Sequence, residues 1–213
     1  LLREYVIFTD SCADLDVHMI EELGVMVEPP TFTLDGTTYT NWPDGRDIGF
    51  EDFYAKLRAG GMSSTSQINV AEFVDAFRPV LAQGKDILYL GFSSGLSGTV
   101  NSGKLAAEEL AGEYPDATIT VVDTLAASLG QGLIVWHAAQ QKKQGKTLQE
   151  VAAWVEENKL KMAHWFTVDD LNFLKRGGRV SGASALLGTM LNIKPVLHVD
   201  DEGHMISREK VRG

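Results

Sequence analysis

The feature that most constrains the fold is a regular alternation of short β-rich runs with helical patterns over the first 160 residues. Apolar runs of strand length occur at 5–9, 86–92 and 118–122, and segments with helical periodicity separate them. Strands that alternate with helices at this spacing pair in parallel, because each helix returns the chain to the starting edge of the sheet. The sequence therefore predicts an α/β fold with a parallel, helix-flanked sheet.

A second group of elements is expected between the first two of these strands. The dipeptide Asp35-Gly36 lies between two β-favouring runs and predicts a hairpin. A helix is expected over about 50–59, because it ends at a Gly-Gly pair. The polar residues 62–69 then predict a loop.

Two capping boxes mark the starts of further helices. Asn69 is followed three residues later by Glu72, and Thr147 is followed in the same way by Glu150. In this pattern each side chain accepts from the other residue's backbone N–H. We therefore expect helices to begin at about 70 and 148, in addition to one over about 99–113.

The pattern changes after about residue 162. A short strand at 164–168, a short helix in 169–180, a small-residue helix in 181–191 and paired runs around 200–203 indicate a second unit with antiparallel strands. We expect an N-terminal α/β domain over 1–160 and a smaller α/β domain over 161–213. A strand that ends at EKVRG would leave a sheet edge without cover, so the second domain is expected to be incomplete.

Composition excludes several classes of function. The 213 residues carry 19 basic and 29 acidic side chains, for a net charge of −10, which disfavours a nucleic-acid partner. Cys12 is the single cysteine, so an intramolecular disulfide is impossible and a reducing cytoplasm is the simplest location. No apolar run approaches the length of a membrane span, and no stable membrane insertion is expected.

Three polar segments are candidates for an anion site: Asp10-Ser11, residues 63–67 and residues 93–99. Polar loops that follow parallel strands gather at the carboxyl edge of a sheet, where ligands bind. Hydroxyl groups and glycines let O–H and N–H donors approach an anion, and a following helix adds its positive end. The plain alternative is that these serines and threonines only cap helices. For SSGLSGT at 93–99, we favour the binding interpretation.

Signals for catalysis are weaker. The stretch GTVNSGK at 98–104 has phosphate-loop spacing, but Leu105 stands where Mg²⁺ needs a hydroxyl, and the stretch lies inside a predicted helix. A hydrolase or phosphotransferase that uses a loop serine or Asp10 remains the enzymatic alternative. For Asp10 we favour the role of a hydrogen-bond acceptor that fixes its loop. No histidine pair has metal-ligand spacing, so neither a metal nor a cofactor is expected.

A basic run, LKRGGRVS at 174–181, contrasts with the acidic composition. It carries Lys175, Arg176 and Arg179 beside two glycines. One interpretation is a helix C-terminus whose cations complement the helix dipole. The other is an electropositive patch for a carboxylate or for an acidic partner protein.

Six motifs in register resemble the DegV family over nearly the whole chain. They are TDSCADL at 9–15, STSQ at 64–67, SSGLSGT at 93–99, FLKRGGRVS at 173–181, LLGTMLNIKPVL at 186–197 and EKVRG at 209–213. The resemblance implies a protein that binds a long-chain fatty acid in a tunnel between two α/β domains and is not an enzyme. It also implies a role in presenting the fatty acid to a separate fatty acid kinase for phospholipid synthesis.

The resemblance also suggests which residues bind. By motif position, Thr65 and either Ser94 or Ser97 resemble the groups that hold the carboxylate in the family. Ser66 and Gly95, in the same two segments, are expected to bind the ligand as well. Two residues depart from the family pattern: Ile68 replaces a proline, and Cys12 replaces a small or hydroxyl residue.

The resemblance implies an acyl tunnel as well. The apolar residues of 186–193 are expected either to line that tunnel or to form part of the hydrophobic core. They are Leu186, Leu187, Met190, Leu191 and Ile193. The family chain continues past 213 with a further helix and a histidine near the carboxylate.

Overall fold

The computed structural model describes residues 3–181 and 193–212. The strands are β1 (Tyr5–Asp10), β2 (Met26–Glu28), β3 (Thr31–Leu34), β4 (Thr37–Thr40), β5 (Ser63–Thr65), β6 (Asp86–Gly91), β7 (Ile119–Asp123), β8 (Trp165–Phe166), β9 (Val180–Ser181), β10 (Ile193–Val199) and β11 (Met205–Arg212). The helices are α1 (Val17–Leu23), α2 (Phe50–Arg58), α3 (Val70–Ala82), α4 (Thr99–Glu113), α5 (Ser128–Lys143), α6 (Leu148–Asn158) and α7 (Leu171–Gly177).

The main sheet is parallel and has helices on both faces. Its strand order is β2-β1-β6-β7, and every residue of the central strand β6 is buried. Successive β6 side chains point to opposite faces, so Leu88 and Leu90 pack in a core with α5 and α6, while Ile87 and Tyr89 pack with α3 and α4. The fold class predicted from the alternation of elements is confirmed.

A small antiparallel sheet, β4-β3-β5, lies beside the main one. Its hairpin turns at Asp35 and Gly36, both with positive φ (50° and 83°), as a two-residue turn of this kind requires. The predicted hairpin is therefore confirmed. The prediction that 62–69 is entirely loop is wrong, because Ser63–Thr65 forms β5 and pairs with β3. Hydroxyl residues without apolar alternation gave no strand signal, although threonine favours extended backbone.

Both predicted capping boxes are present. The Asn69 side chain accepts from Glu72 N at 3.0 Å, and the Glu72 carboxylate accepts from Asn69 N at 2.7 Å. Thr147 and Glu150 make the same reciprocal pair at the start of α6. The long helix predicted from about 99 to 113 is α4, with the same bounds.

The last part of the chain forms a four-stranded sheet of order β8-β10-β11-β9. Strand β10 is antiparallel to β8 and β11, and β9 joins β11 in parallel. The paired runs predicted around 200–203 are thus confirmed. The predicted small-residue helix and the side chains of 186–193 lie outside the described residues, and the division at about residue 160 stays a prediction. Within the described ranges, no helix is both long and apolar enough to span a membrane.

Candidate functional site

A cavity of about 760 Å³ lies at the carboxyl edge of the main sheet, within the size range of small-molecule sites. It is bordered by the small sheet, by α2 and the segment before it, by the loop after β6 and by α7. Its apolar lining residues are Pro30, Phe32, Trp42, Ile48, Phe50, Phe53, Tyr54, Phe92, Leu96, Phe173, Leu174 and Met205. Its polar lining residues include Cys12, Asp14, Thr31, Thr40, Asn41, Ser63, Thr65, Ser66, Gln67, Ser97, Thr99 and Arg179.

The buried carboxylate of Asp10, at the end of β1, fixes the backbone beneath this cavity. Its Oδ2 accepts from Tyr89 Oη and from Phe92 N, both at 2.9 Å, and its Oδ1 accepts from Cys12 N at 3.2 Å. Burial raises the pKa of the Asp10 carboxyl above its usual value, while these hydrogen bonds act in the opposite direction. Asp10 therefore ties the ends of β1 and β6 together, as the loop-fixing interpretation predicted.

The first part of the loop after β6 is occupied with internal contacts. Ser93 is buried, and its Oγ donates to Gly203 O at 2.8 Å in the turn between β10 and β11. A Cβ on Gly95 would lie 2.7 Å from the same carbonyl oxygen, so only glycine fits there. Ser94 is exposed and donates its N–H to Asp123 Oδ1 at 3.2 Å. The structure thus brings neither Ser94 nor Gly95 to the cavity.

The second part of the loop does reach the cavity. Half-buried Ser97 and buried Thr99 both line it, with their hydroxyl oxygens 3.0 Å apart. Ser97 Oγ also accepts from Thr99 N at 3.2 Å, and Thr99 Oγ1 accepts from Ile68 N at 3.3 Å. The departure from the family pattern at Ile68 therefore lies against this hydroxyl pair without removing either group.

Residues 65–67 approach from the small sheet. Thr65 and Ser66 are exposed and line the cavity, and Ser66 N donates to Thr31 O at 3.0 Å. Gln67 Nε2 donates to Ser102 Oγ at 3.3 Å, which fastens this segment to α4. The side chain of Gln67 also occupies the space that a Cβ on Gly98 would need. Of the predicted ligand-binding residues, the structure therefore brings together Thr65, Ser66 and Ser97.

The basic run divides into two environments. Arg179 lines the cavity, and its guanidinium donates to Gly177 O. Arg176 is exposed and lies over the Phe173 ring, 5.5 Å from its centroid. Lys175 and Arg176 occupy the last turn of α7, where cations complement the helix dipole. Only Arg179 of the three is placed to meet a bound molecule.

Several lining residues carried no motif in the sequence. Asn41 Nδ2 donates to Ser11 Oγ at 2.9 Å and so joins the segment before α2 to the β1 loop. Trp42 lies under the guanidinium of Arg46, 4.6 Å from the ring centroid. Burial and the neighbouring Asp10 raise the pKa of the Cys12 thiol, which keeps it protonated. The sequence predicts a helix over about 50–59, but no motif indicates that its apolar residues line a cavity.

The histidines lie elsewhere among the described residues. None of the described residues that line the cavity is a histidine. His164 packs on Gly130 at the start of α5, close to Ala127 N. Burial lowers the pKa of His164, which favours its neutral form. The described residues also contain no group of three or more side chains suited to hold a metal ion.

Comparison with known proteins identifies the family. The model of a family described as uncharacterised protein, DegV family, matches residues 4–213. The chain belongs to the DegV family. A DegV domain-containing protein of Clostridium perfringens is 50% identical over 212 residues, which is 100% of this chain and 72% of that protein.

Solved structures of similar proteins share the fold described above. A DegV family protein from Thermus thermophilus, reported for fatty acid binding, superposes with a TM-score of 0.84 at 38% identity over 99% of this chain and 72% of its own. A stearic acid-binding protein from Eubacterium ventriosum superposes with a TM-score of 0.89 at 27% identity, over 98% of this chain and 71% of its own. The DegV resemblance noted in the sequence is therefore confirmed.

We expect Asp10→Ala to destabilise the protein strongly. The substitution leaves three donors without their acceptor, and each buried unsatisfied group costs about 1–3 kcal/mol, so the free energy of unfolding should fall by about 3 kcal/mol or more. Asp16→Ala is the control, because Asp16 accepts a single N–H at the start of α1 and should cost about 1 kcal/mol. Urea denaturation measures both, and equal losses would contradict the central role of Asp10.

Proposed function

We propose that this chain binds a long-chain fatty acid in the cavity, with the carboxylate at Thr65, Ser66 and Ser97 and the acyl chain against the apolar wall. The observation that carries the proposal is that these hydroxyl groups and Arg179 line the same cavity as twelve apolar or aromatic side chains. A molecule with one anionic end and a long apolar remainder matches that division. The fatty-acid binding reported for related DegV structures supports the same ligand.

The hydrogen-bond pattern around Ser97 is compatible with donation of its proton to a ligand. Thr99 Oγ1 accepts from Ile68 N, and either hydroxyl of the Ser97–Thr99 pair can donate to the other. When Thr99 donates, Ser97 Oγ accepts from both Thr99 N and Thr99 Oγ1. In that arrangement the O–H of Ser97 donates into the cavity, which is the role that a carboxylate requires.

Electrostatics at this end also favour an anion. Helix α4 is 15 residues long, begins at Thr99 and directs the positive end of its dipole toward the Ser97 hydroxyl. Arg179 adds a full positive charge on the same cavity. Together they offset the chain's overall negative charge where a carboxylate would lie.

The apolar wall supplies most of the binding free energy. Burial of each CH₂ contributes roughly 0.8 kcal/mol, so a saturated tail of about 16 carbons contributes about 12 kcal/mol before ordering costs. A hydrogen bond to a charged group adds about 1.5–3 kcal/mol. The polar groups therefore determine the orientation of the fatty acid, and burial of its tail supplies most of the affinity.

The enzymatic alternative receives less support from the geometry. The Asp10 carboxylate is fully buried and accepts three hydrogen bonds, so it is not presented to a substrate. Ser97 has no histidine beside it among the described lining residues, and a serine nucleophile needs a base within hydrogen-bond reach. We therefore assign the protein a carrier role in our proposal.

We further propose that the carrier presents its fatty acid to a separate fatty acid kinase, and that Lys175 and Arg176 attract this partner. Both side chains are exposed on the last turn of α7, close along the chain to Arg179 at the cavity. Exposed cations in an acidic protein steer a partner with an acidic face and affect its association rate more than the stability of the fold.

We expect Thr65→Ala and Ser97→Ala each to weaken fatty-acid binding by about tenfold or more, because each removes a donor to a charged carboxylate. Ser94→Ala is the matched control, since Ser94 belongs to the same loop but is exposed outside the cavity. Displacement of a fluorescent fatty acid measures the three affinities. If Ser94→Ala weakens binding and Ser97→Ala does not, the carboxylate lies on the other side of the loop.

We expect Arg176→Glu to slow acyl phosphate formation by a fatty acid kinase about tenfold at low salt and less at high salt, because screening weakens steering. Fatty-acid affinity and thermal stability should stay unchanged. Lys104→Glu makes the same charge change on an exposed position of α4 and should leave turnover unaffected. A rate loss in the control variant, or none in Arg176→Glu, would refute the docking role.

A further inference from the structure

Helix α2 has an apolar face that the protein buries only in part. Phe50, Phe53, Tyr54 and Leu57 recur at the spacing that puts side chains on one side of a helix. None of the nine α2 residues is buried, and Phe50 and Tyr54 are 54% and 53% exposed. An amphipathic helix normally gains its stability by burying such a face, so α2, with only Phe53 and Leu57 half-buried, receives less of this stabilisation than usual.

Two hydrogen bonds fix the C-terminal end of α2. Gly61 N donates to Lys56 O at 2.9 Å, and Asp35 accepts from Met62 N at 2.9 Å, which joins the end of the helix to the hairpin of the small sheet. On the helix face, the Phe53 ring meets Phe32 edge-on at 5.2 Å. A helix of nine residues is too short to be stable without further packing.

The unburied face borders the cavity. Phe50, Phe53 and Tyr54 all line it, and so do Trp42 and Ile48 in the segment that leads into the helix. The exposed faces of these rings therefore border the cavity. They form the apolar wall against which the fatty acid of the proposed function would lie.

An apolar path connects this wall to the hydroxyl end of the cavity. Phe32 lies directly opposite Thr65 in the pairing of β3 with β5, so their side chains share one face of the small sheet. From Phe32 the path continues to Phe53 at 5.2 Å and from Phe53 to Tyr54 at 5.2 Å. A fatty acid whose carboxylate is held at Thr65 would therefore contact Phe32 first and α2 with the far end of its tail.

We propose that α2 determines which acyl-chain lengths the protein prefers. The far end of the acyl chain packs on Phe50 and Tyr54 and covers the exposed apolar face of the helix. This inference rests on the proposed function and makes α2 its specificity-determining element. A tail too short to reach α2 leaves both rings exposed. Each methylene that does reach them improves affinity by roughly fourfold.

The test compares saturated fatty acids of about 8 to about 20 carbons by competition against a fluorescent fatty acid. In the unsubstituted protein, we expect affinity to rise with each added methylene up to the length that covers α2. In Phe50→Ala and Tyr54→Ala, we expect the preference for long over short chains to fall about tenfold, while the affinity for the shortest chains stays the same. Leu105→Ala is the control, because Leu105 is 45% exposed on α4 and does not line the cavity.

Amide hydrogen exchange of the unsubstituted protein gives a second readout. We expect the α2 amides to gain protection when a long fatty acid binds and to gain little with one of about 8 carbons. An unchanged length preference in both variants, or equal α2 exchange with long and short chains, would overturn the inference and leave fatty-acid binding intact. If the unsubstituted protein binds no fatty acid of any length, the proposed function itself fails.

Discussion

The buried carboxylate of Asp10 is the interaction on which the geometry of the site depends. Parallel strands leave their carboxyl ends side by side, but the loops beyond them need a common anchor to form a defined surface. Asp10 provides it by accepting from the β1 loop, from Tyr89 within β6 and from the backbone just beyond β6. Because Phe92 and Cys12 both line the cavity, this side chain fixes the backbone at two points of its base.

The site lies where this edge of the main sheet meets the small sheet and α2. The loop after β6 is held on one side by the hydrogen bond from Ser93 Oγ to Gly203 O. On the other side, Thr99 Oγ1 accepts from Ile68 N and lies 3.0 Å from Ser97 Oγ. The small sheet and α2 enclose the remaining side with aromatic rings that the core does not cover. Hydroxyl donors at one end of the cavity and aromatic side chains at the other suit a ligand with a polar head and an apolar tail.

Much of the fold could be predicted from local sequence because local chemistry determines it. The capping boxes at Asn69 and Thr147, the hairpin at Asp35-Gly36 and the fully apolar run of β6 each carry their own signal. Strand β5 had no such signal, since it exists only through its pairing with β3.

The site was predictable only in part for the same reason. Sequence motifs marked 64–67 and 93–99, but a motif cannot say which serine faces the cavity. That choice depends on tertiary contacts, which bring Ser97 to the cavity and leave Ser94 beside Asp123. The aromatic wall formed by Trp42, Phe50 and Tyr54 belongs to no motif, because its role appears only once α2 lies over the cavity.

The central claim is that the cavity exists to hold a fatty acid, and the lipid content of the purified protein tests it most directly. Organic extraction followed by mass spectrometry should release one long-chain fatty acid in a nearly stoichiometric amount, because a tail contributing about 12 kcal/mol dissociates slowly. A protein in which Thr65 and Ser97 are both alanine should carry much less. Extraction of a nucleotide, or of no lipid from the unsubstituted protein, would contradict the account.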